Sequence, residues 1–308
     1  MMFGEKNKPN SVKKRTNNFI VFLLAFVVFL IVFGGICLWA VIKINQEKRA
    51  DMPSPSMGST QTFQFDNTHA KTFLLITVDN NTAQGLVAVR LDPAKTRVRA
   101  LAIPRDTTVD YKTSEVRLFE LYDTQGASAV MNSLGSLIGI DFDNYLAVTY
   151  ENIGRLIQHF EAGLILTLDE NLEYSDDNLT INISGGLRTL SASEVVDVLR
   201  YPVWRGGRKQ RSTVQAQITA ALVNQYMKES RLNASDNDFT FIVNSALKTD
   251  ILISHYKDAQ EGISYLAKNN SGDVCTVLTL PGEYNGSGDA IRYYAPDNIK
   301  DTLKTSFE

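Results

Sequence analysis

Three apolar runs of strand length follow one another between residues 72 and 103, and no other stretch restricts the possible folds as much. Thr72 to Asp79 (T-F-L-L-I-T-V-D) and Gln84 to Leu91 (Q-G-L-V-A-V-R-L) are nearly continuous, while Thr96 to Ile103 mixes Val, Arg, Ala, Leu and Ile. Near-continuous apolar strands belong to sheets covered on both faces. Asp92-Pro93-Ala94-Lys95 has the chemistry of a tight turn, so the second and third runs are predicted to pair as a hairpin. That hairpin makes the sheet mixed rather than purely parallel.

Helices and strands alternate through the rest of the chain. Helical spacing predicts Ser128 to Ile138, Ile153 to Phe160, a helix around Ala259 to Ala267, and a long helix from Ser212 to Leu232. Ser191 with Glu194 three residues on is a capping box opening a helix through Leu199. Strands are predicted at Asn144–Thr149, Gly163–Leu168, Leu179–Ile183, Phe239–Val243 and Val274–Leu280. Apolar strands interleaved with helices imply a three-layer α/β/α sandwich around a mixed central sheet.

Ahead of this domain lies Phe19 to Ile42, 24 residues without a charge. As a helix it spans about 36 Å, enough to cross a hydrocarbon core of about 30 Å. Lys13, Lys14 and Arg15 precede it, whereas Lys43, Lys48 and Arg49 after it are diluted by Glu47 and Asp51. The expected organisation is therefore a cytoplasmic tail (1–18), one transmembrane helix (19–42), a linker (43–70) and an extracytoplasmic domain (71–308). Cys37 lies in the apolar span and Cys275 in the distal domain, so an intrachain disulfide is not expected. A net charge of −3 provides no overall field for nucleic acid, and no DNA-reading module is evident.

The chemistry is concentrated in arginine. R-Y-P-V-W-R-G-G-R-K-Q-R, from Arg200 to Arg211, has four arginines and a lysine and no acid. It lies between two predicted helices and reads as a loop at Pro202 and Gly206-Gly207. Guanidinium forks suit phosphate bidentately, so such a loop is either a polyanion site or a solvated charge run. Ile103-Pro104-Arg105-Asp106-Thr107 follows the third strand directly. Ligands in open α/β sheets sit at strand ends, which makes Arg105 a phosphate clamp and Asp106 an orienting or proton-accepting group; the alternative is a strand-terminating turn. Asp79 ends the first strand and could hold a hard cation, or simply open a turn at Asn80-Asn81. His69, His159 and His255 lack metal-ligand spacing, and there is no P-loop, nucleophile elbow or Gly-rich dinucleotide fingerprint.

V-R-L-D-P-A-K-T-R-V-R-A-L-A-I-P-R-D-T-T-V, preceded by a basic tail and one apolar span and followed by R-x-x-R before a long helix, resembles the LytR–CpsA–Psr (LCP) family. The likeness covers roughly residues 71 to 225, and L-P-G-E-Y…Y-A-P-D near the end is in keeping with it. The resemblance implies an anchored, exported phosphotransferase of mainly Gram-positive cell envelopes. Such enzymes move glycopolymers from a polyprenyl-pyrophosphate carrier onto peptidoglycan, and their α/β/α sandwich holds an apolar pocket for the lipid. It further implies that Arg105, Asp106 and Arg200 are catalytic, that Arg105, Arg200, Arg208 and Arg211 bind (pyro)phosphate, and that Asp79 binds Mg²⁺; Arg205 of the same loop is expected to add its charge to the phosphate site.

The chain departs from the family pattern in its acids. Counting back from Asp92-Pro93, the family's R-x-D-T becomes Thr82-Ala83-Gln84-Gly85, which removes an arginine and the second metal aspartate. Pro202 stands at the second arginine of Y-V-R-x-R, and Arg205 falls near an expected acid. Two readings follow: an active transferase, or a catalytically impaired relative that binds the lipid carrier as an assembly or regulatory protein. Their partners would be polyprenyl phosphate, a cell-wall glycopolymer or peptidoglycan, and the membrane. A transcriptional regulator is disfavoured, because the anchor places the basic loop outside the cell.

Overall fold

The computed structural model describes residues 65–307. The predicted tail, transmembrane helix and most of the linker lie outside these residues. No helix among the described residues is long and apolar enough to cross a membrane.

The strands are β1 (Lys71–Asp79), β2 (Thr82–Asp92), β3 (Arg97–Ile103), β4 (Thr108–Tyr111), β5 (Ser114–Arg117), β6 (Asn144–Thr149), β7 (Leu164–Leu168), β8 (Leu172–Ser175), β9 (Thr180–Ile183), β10 (Gly186–Leu190), β11 (Lys248–Thr249), β12 (Cys275–Thr279), β13 (Glu283–Asn285) and β14 (Arg292–Tyr294). The helices are α1 (Leu118–Gln125), α2 (Ala127–Ile138), α3 (Tyr150–Phe160), α4 (Ala192–Arg200), α5 (Gly207–Tyr226), α6 (Ser235–Ser245), α7 (Ile253–Lys268) and α8 (Ile299–Ser306). Six strands form the central sheet in the order β11-β6-β1-β2-β3-β12. β1, β2 and β3 run as an antiparallel meander, while β6 and β12 lie parallel to β1 and β3. The sheet is mixed, as the Asp92-Pro93 turn predicts. Asp92 accepts a hydrogen bond from the Lys95 amide at 3.1 Å, and Thr96 takes a left-handed conformation to enter β3.

Period-two alternation assigns the strand residues to two cores. Leu74, Ile76, Leu86, Ala88, Leu101 and Ile103 pack with Leu121, Val130 and Leu134 of α1 and α2. On the other face, Val87, Ala100 and Ala102 meet Ala216 and Ala220 of α5, and Leu75, Leu146 and Val148 meet α3 to α5. Helices thus cover the sheet on both sides.

Two predicted elements differ. Phe239–Val243, expected as a strand, is the middle of helix α6. A short apolar run does not distinguish strand from helix. Here Asp236 and Asp238 occupy the helix's first turn, where its dipole favours acids. The long helix expected over Ser212–Leu232 runs instead from Gly207 to Tyr226. It stops because the amide of Asn270, distant in sequence, donates to the carbonyls of Val223, Asn224 and Met227 at 3.2, 3.3 and 2.7 Å. The capping box at Ser191 is formed as the sequence predicts, with the Glu194 carboxylate accepting from the Ser191 amide at 2.7 Å. Phe65, within the expected linker, stacks obliquely on Tyr265 of α7 with ring centroids 4.9 Å apart.

Candidate functional site: a cation-lined cavity against an apolar one

β3 ends at Pro104, which cannot extend the ladder. Thr107 folds back on it, its amide and hydroxyl both donating to the Pro104 carbonyl at 3.0 and 2.6 Å. This turn directs Arg105 towards β2, where its Nη1 donates to Gln84 Oε1 at 2.6 Å and its guanidinium lies 4.7 Å from the Phe119 ring centroid. Asp106 is 1% exposed, and its Oδ1 accepts from Arg208 Nη1 at 2.7 Å. Burial pulls the Arg105 pKa below its ordinary value, Asp106 opposes this, and Arg211 and Arg208 reinforce it. Several cations are therefore held close together in a partly dry setting.

Helix α5 begins inside the predicted loop, at Gly207, whose positive φ of 63° admits the turn. Arg208, Lys209 and Arg211 consequently occupy the helix's first turns, without an acid in the opening turn. Cations there oppose the helix dipole, while the exposed amides and the guanidiniums both favour an anion. Arg211 Nη2 donates at 3.4 Å to Gln84 Oε1 and also to Tyr150 Oη. Gln84, Arg105, Asp106, Pro202, Trp204, Arg208, Arg211 and Tyr284 line a cavity of about 240 Å³. In this lining Asp106 Oδ2, Trp204 Nε1, Arg211 Nε and Tyr284 Oη are buried without a partner. Each such atom costs about 1–3 kcal/mol until a partner is found.

The remaining predicted residues stand apart from this cavity. Arg200 closes α4 and hydrogen-bonds Glu151 Oε1, with Asp79 Oδ1 3.8 Å from the same nitrogen. Asp79 also precedes a tight turn in which Asn80 and Asn81 both have positive φ, the geometry of a two-residue hairpin. The backbone amide of Arg205 donates to Glu170 at 3.0 Å, and Arg205 does not line the cavity. Thus Arg105, Asp106, Arg208 and Arg211 converge, and Arg200 with Asp79 forms a neighbouring ion pair.

A Mg²⁺ at Asp79 would require further oxygen ligands. The second carboxylate nearby is Glu151, and both acids lie on one guanidinium nitrogen. Among the described residues no three His, Cys, Asp or Glu side chains come together as a metal site. Both acids that could hold a divalent ion at Asp79 are thus engaged by the Arg200 guanidinium.

A second cavity, of about 360 Å³, lies on the α5 side of the sheet. Leu75, Leu146 and Val148 form its sheet wall, Ile218, Leu222 and Val223 its α5 wall, and Phe239 and Ile242 of α6 another. Gln215 lines this cavity, and its Nε2 donates at 3.3 Å to the carbonyl of Gln84, which lines the cationic one. Gly85 makes the approach possible: a Cβ there would fall 1.6 Å from Gln215 Oε1.

Several participants are hidden from motif reading. Tyr150, Glu151 and Gln215 are ordinary helix residues in the sequence. Trp204 lies in the arginine loop and Tyr284 in L-P-G-E-Y, two motifs that carry the family resemblance.

The family model described as the LytR_cpsA_psr family matches residues 40–306. No curated protein matches the sequence significantly. Among solved structures, a candidate transcription regulator from Eubacterium siraeum superposes with a TM-score of 0.69 at 18% identity, over 83% of this chain and 99% of that one. B. subtilis TagV gives 0.65 at 18% identity, over 77% and 95%. TagT in a structure described as bound to LIIa-WTA gives 0.58 at 14% identity, over 83% and 97%. At these identities the likeness establishes the fold.

Proposed function

The chain belongs to the LytR–CpsA–Psr family, and from that premise we propose that it binds a polyprenyl-linked (pyro)phosphate glycopolymer in the cell envelope. One observation carries this reading: a cation-lined cavity and an apolar cavity meet across the hydrogen bond from Gln215 to Gln84. An amphiphile with a phosphate head and a hydrocarbon tail needs those two environments side by side. Arg105, Arg208 and Arg211 would hold the phosphates, with Arg200 at the flank. The tail would enter between α3, α5 and α6. In keeping with the sequence, residues 19–42 anchor the chain and hold the domain outside the cell.

As a transferase, the site joins an acceptor hydroxyl to the glycan-bearing phosphorus. The new O–P bond forms as the bridging P–O bond of the pyrophosphate breaks, and polyprenyl phosphate leaves. Asp106 takes the hydroxyl proton at Oδ2, the oxygen Arg208 leaves free, once the lining turns to admit the acceptor. The guanidiniums offset charge growing on the leaving phosphate. The second reading, a carrier-binding or assembly protein without turnover, is favoured by one feature. The acid proposed as base is already paired with Arg208.

The test uses the full chain in lipid vesicles with a polyprenyl-pyrophosphate glycan and a peptidoglycan acceptor. Release of polyprenyl phosphate that disappears in Arg105→Ala and Asp106→Asn supports transfer. Saturable binding without release supports the second reading, and no binding of the lipid-linked substrate sinks both.

A further inference from the structure

We infer that the positive charge at the Asp79 end of the site is supplied by Arg200 in place of a divalent cation, so that this chain takes up pyrophosphate without a metal. The inference rests on the ligand assigned above and concerns what offsets that ligand's charge. Arg200 Nη2 is hydrogen-bonded to Glu151 Oε1 and lies 3.8 Å from Asp79 Oδ1. One guanidinium therefore occupies the space between the two carboxylates that a cation would bridge. Glu151 is held below its ordinary pKa by its own backbone amide first, with Arg200 and Thr149 adding to this against the opposing effect of burial.

Gln84 completes the argument. It stands where the family pattern expects a second metal carboxylate, and its neutral Oε1 instead accepts from Arg105 at 2.6 Å and Arg211 at 3.4 Å. A carboxamide oxygen in that role contributes no full negative charge. Among the acids, Asp79 and Glu151 sit on Arg200 and Asp106 on Arg208, while Asp123 and Asp197 also act electrostatically on Arg105 and Arg200. Arg105 and Arg211 rest on the neutral Gln84. Mg²⁺ is commonly held by one or two carboxylates together with substrate phosphates and waters, and here the guanidinium seated on both acids opposes it. Arginine in turn suits phosphate oxygens as a permanent, bidentate charge.

The experiment measures inorganic pyrophosphate binding to the full chain in detergent micelles by calorimetry, with EDTA or with Mg²⁺. Electron paramagnetic resonance of Mn²⁺ follows the metal independently. Affinity should agree within about twofold between the two buffers after correction for Mg²⁺ complexed by free pyrophosphate, and the chain should add nothing to the Mn²⁺ that pyrophosphate alone removes. Arg200→Ala removes the bridging guanidinium and exposes both acids, so it should lose about tenfold in EDTA and recover part of that with Mg²⁺ or Mn²⁺. Arg200→Lys, which keeps a charge there, should remain indifferent to metal. A wild-type chain that binds pyrophosphate only with the metal, or immobilises Mn²⁺ beyond what pyrophosphate alone does, overturns this inference while leaving the assigned ligand standing. Absence of binding in both buffers overturns the ligand assignment and this inference with it.

Discussion

The two cavities that share the Gln84–Gln215 contact are built in opposite ways. The apolar one is assembled from regular faces: alternate residues of β1 and β6, and helical stripes of α3, α5 and α6. The cationic one takes single residues from the start of β2, the end of β3, the loop before α5, the first turns of α5 and strand β13. The first can lose a side chain and keep its character, because dispersion and desolvation are spread over many contacts. The second depends on a few charged groups whose partners are fixed to within a hydrogen bond. A change in one cavity should therefore leave the chemistry of the other largely intact.

The largest expected effect comes from filling the apolar cavity. Leu222→Trp should reduce the preference for a short-chain polyprenyl phosphate over inorganic phosphate by on the order of 100-fold, since each excluded methylene forfeits about 0.8 kcal/mol. Inorganic pyrophosphate affinity, read by calorimetry, should stay within about threefold of wild type. Arg105→Ala should do the reverse. Losing its charge-assisted bonds is worth about 1.5–3 kcal/mol, or about 10- to 100-fold in pyrophosphate affinity, while binding of an uncharged polyprenol stays unchanged. If both variants weakened both ligands equally, the two cavities would be one site and the comparison would fail.

How far this architecture could be read from sequence follows the same division. Leu74, Ile76, Leu86 and Leu101 declare their strands because an apolar run of strand length is a matter of local composition, and Ser191 with Glu194 declares α4 because a capping box is local chemistry. The end of α5 was illegible, since its cap is Asn270, more than forty residues downstream. So was α6, whose Phe239–Val243 run suits either periodicity. In the site, Arg105, Asp106, Arg208 and Arg211 were legible as residue types suited to phosphate. Their convergence was not, because it depends on Gly207 starting α5 early and on Gly85 admitting Gln215. Arg200 was legible as a charge but not as the partner of Glu151, which belongs to a different helix.

Gly85→Ala tests the shared wall with a smaller effect. Its methyl would overlap Gln215, which is 3% exposed and cannot simply swing into solvent. Displacing it breaks the bond to the Gln84 carbonyl and should cost about 1–3 kcal/mol in chemical denaturation. Both ligands should weaken together in this variant, unlike in either single-cavity change. Gly85→Ala with Gln215→Ala should recover much of the loss, because the second substitution vacates the space.

The smallest effect expected is acid-dependent and confined to the apolar side. Asp238 of α6 lines that cavity and receives Arg231 Nη2 at 2.8 Å and His159 Nε2 at 2.9 Å. Burial raises its pKa, but the hydrogen bonds from Arg231 and His159 outweigh this and hold it below the ordinary 3.8. A carboxylate depressed on folding contributes stability at pH values above its unfolded pKa and loses that contribution as pH falls through the folded one. Between neutral pH and about pH 4 the α6 wall should therefore be unchanged, and below the ordinary aspartate value it should loosen by about 1 kcal/mol or less. Hydrogen exchange of the α6 amides, compared with those of β1 and β3, measures this directly. In Asp238→Asn the α6 amides should exchange faster already at neutral pH and show no additional acid step, because the titrating partner is gone. An acid step of undiminished size in that variant would assign the loosening to some other group on the cavity wall.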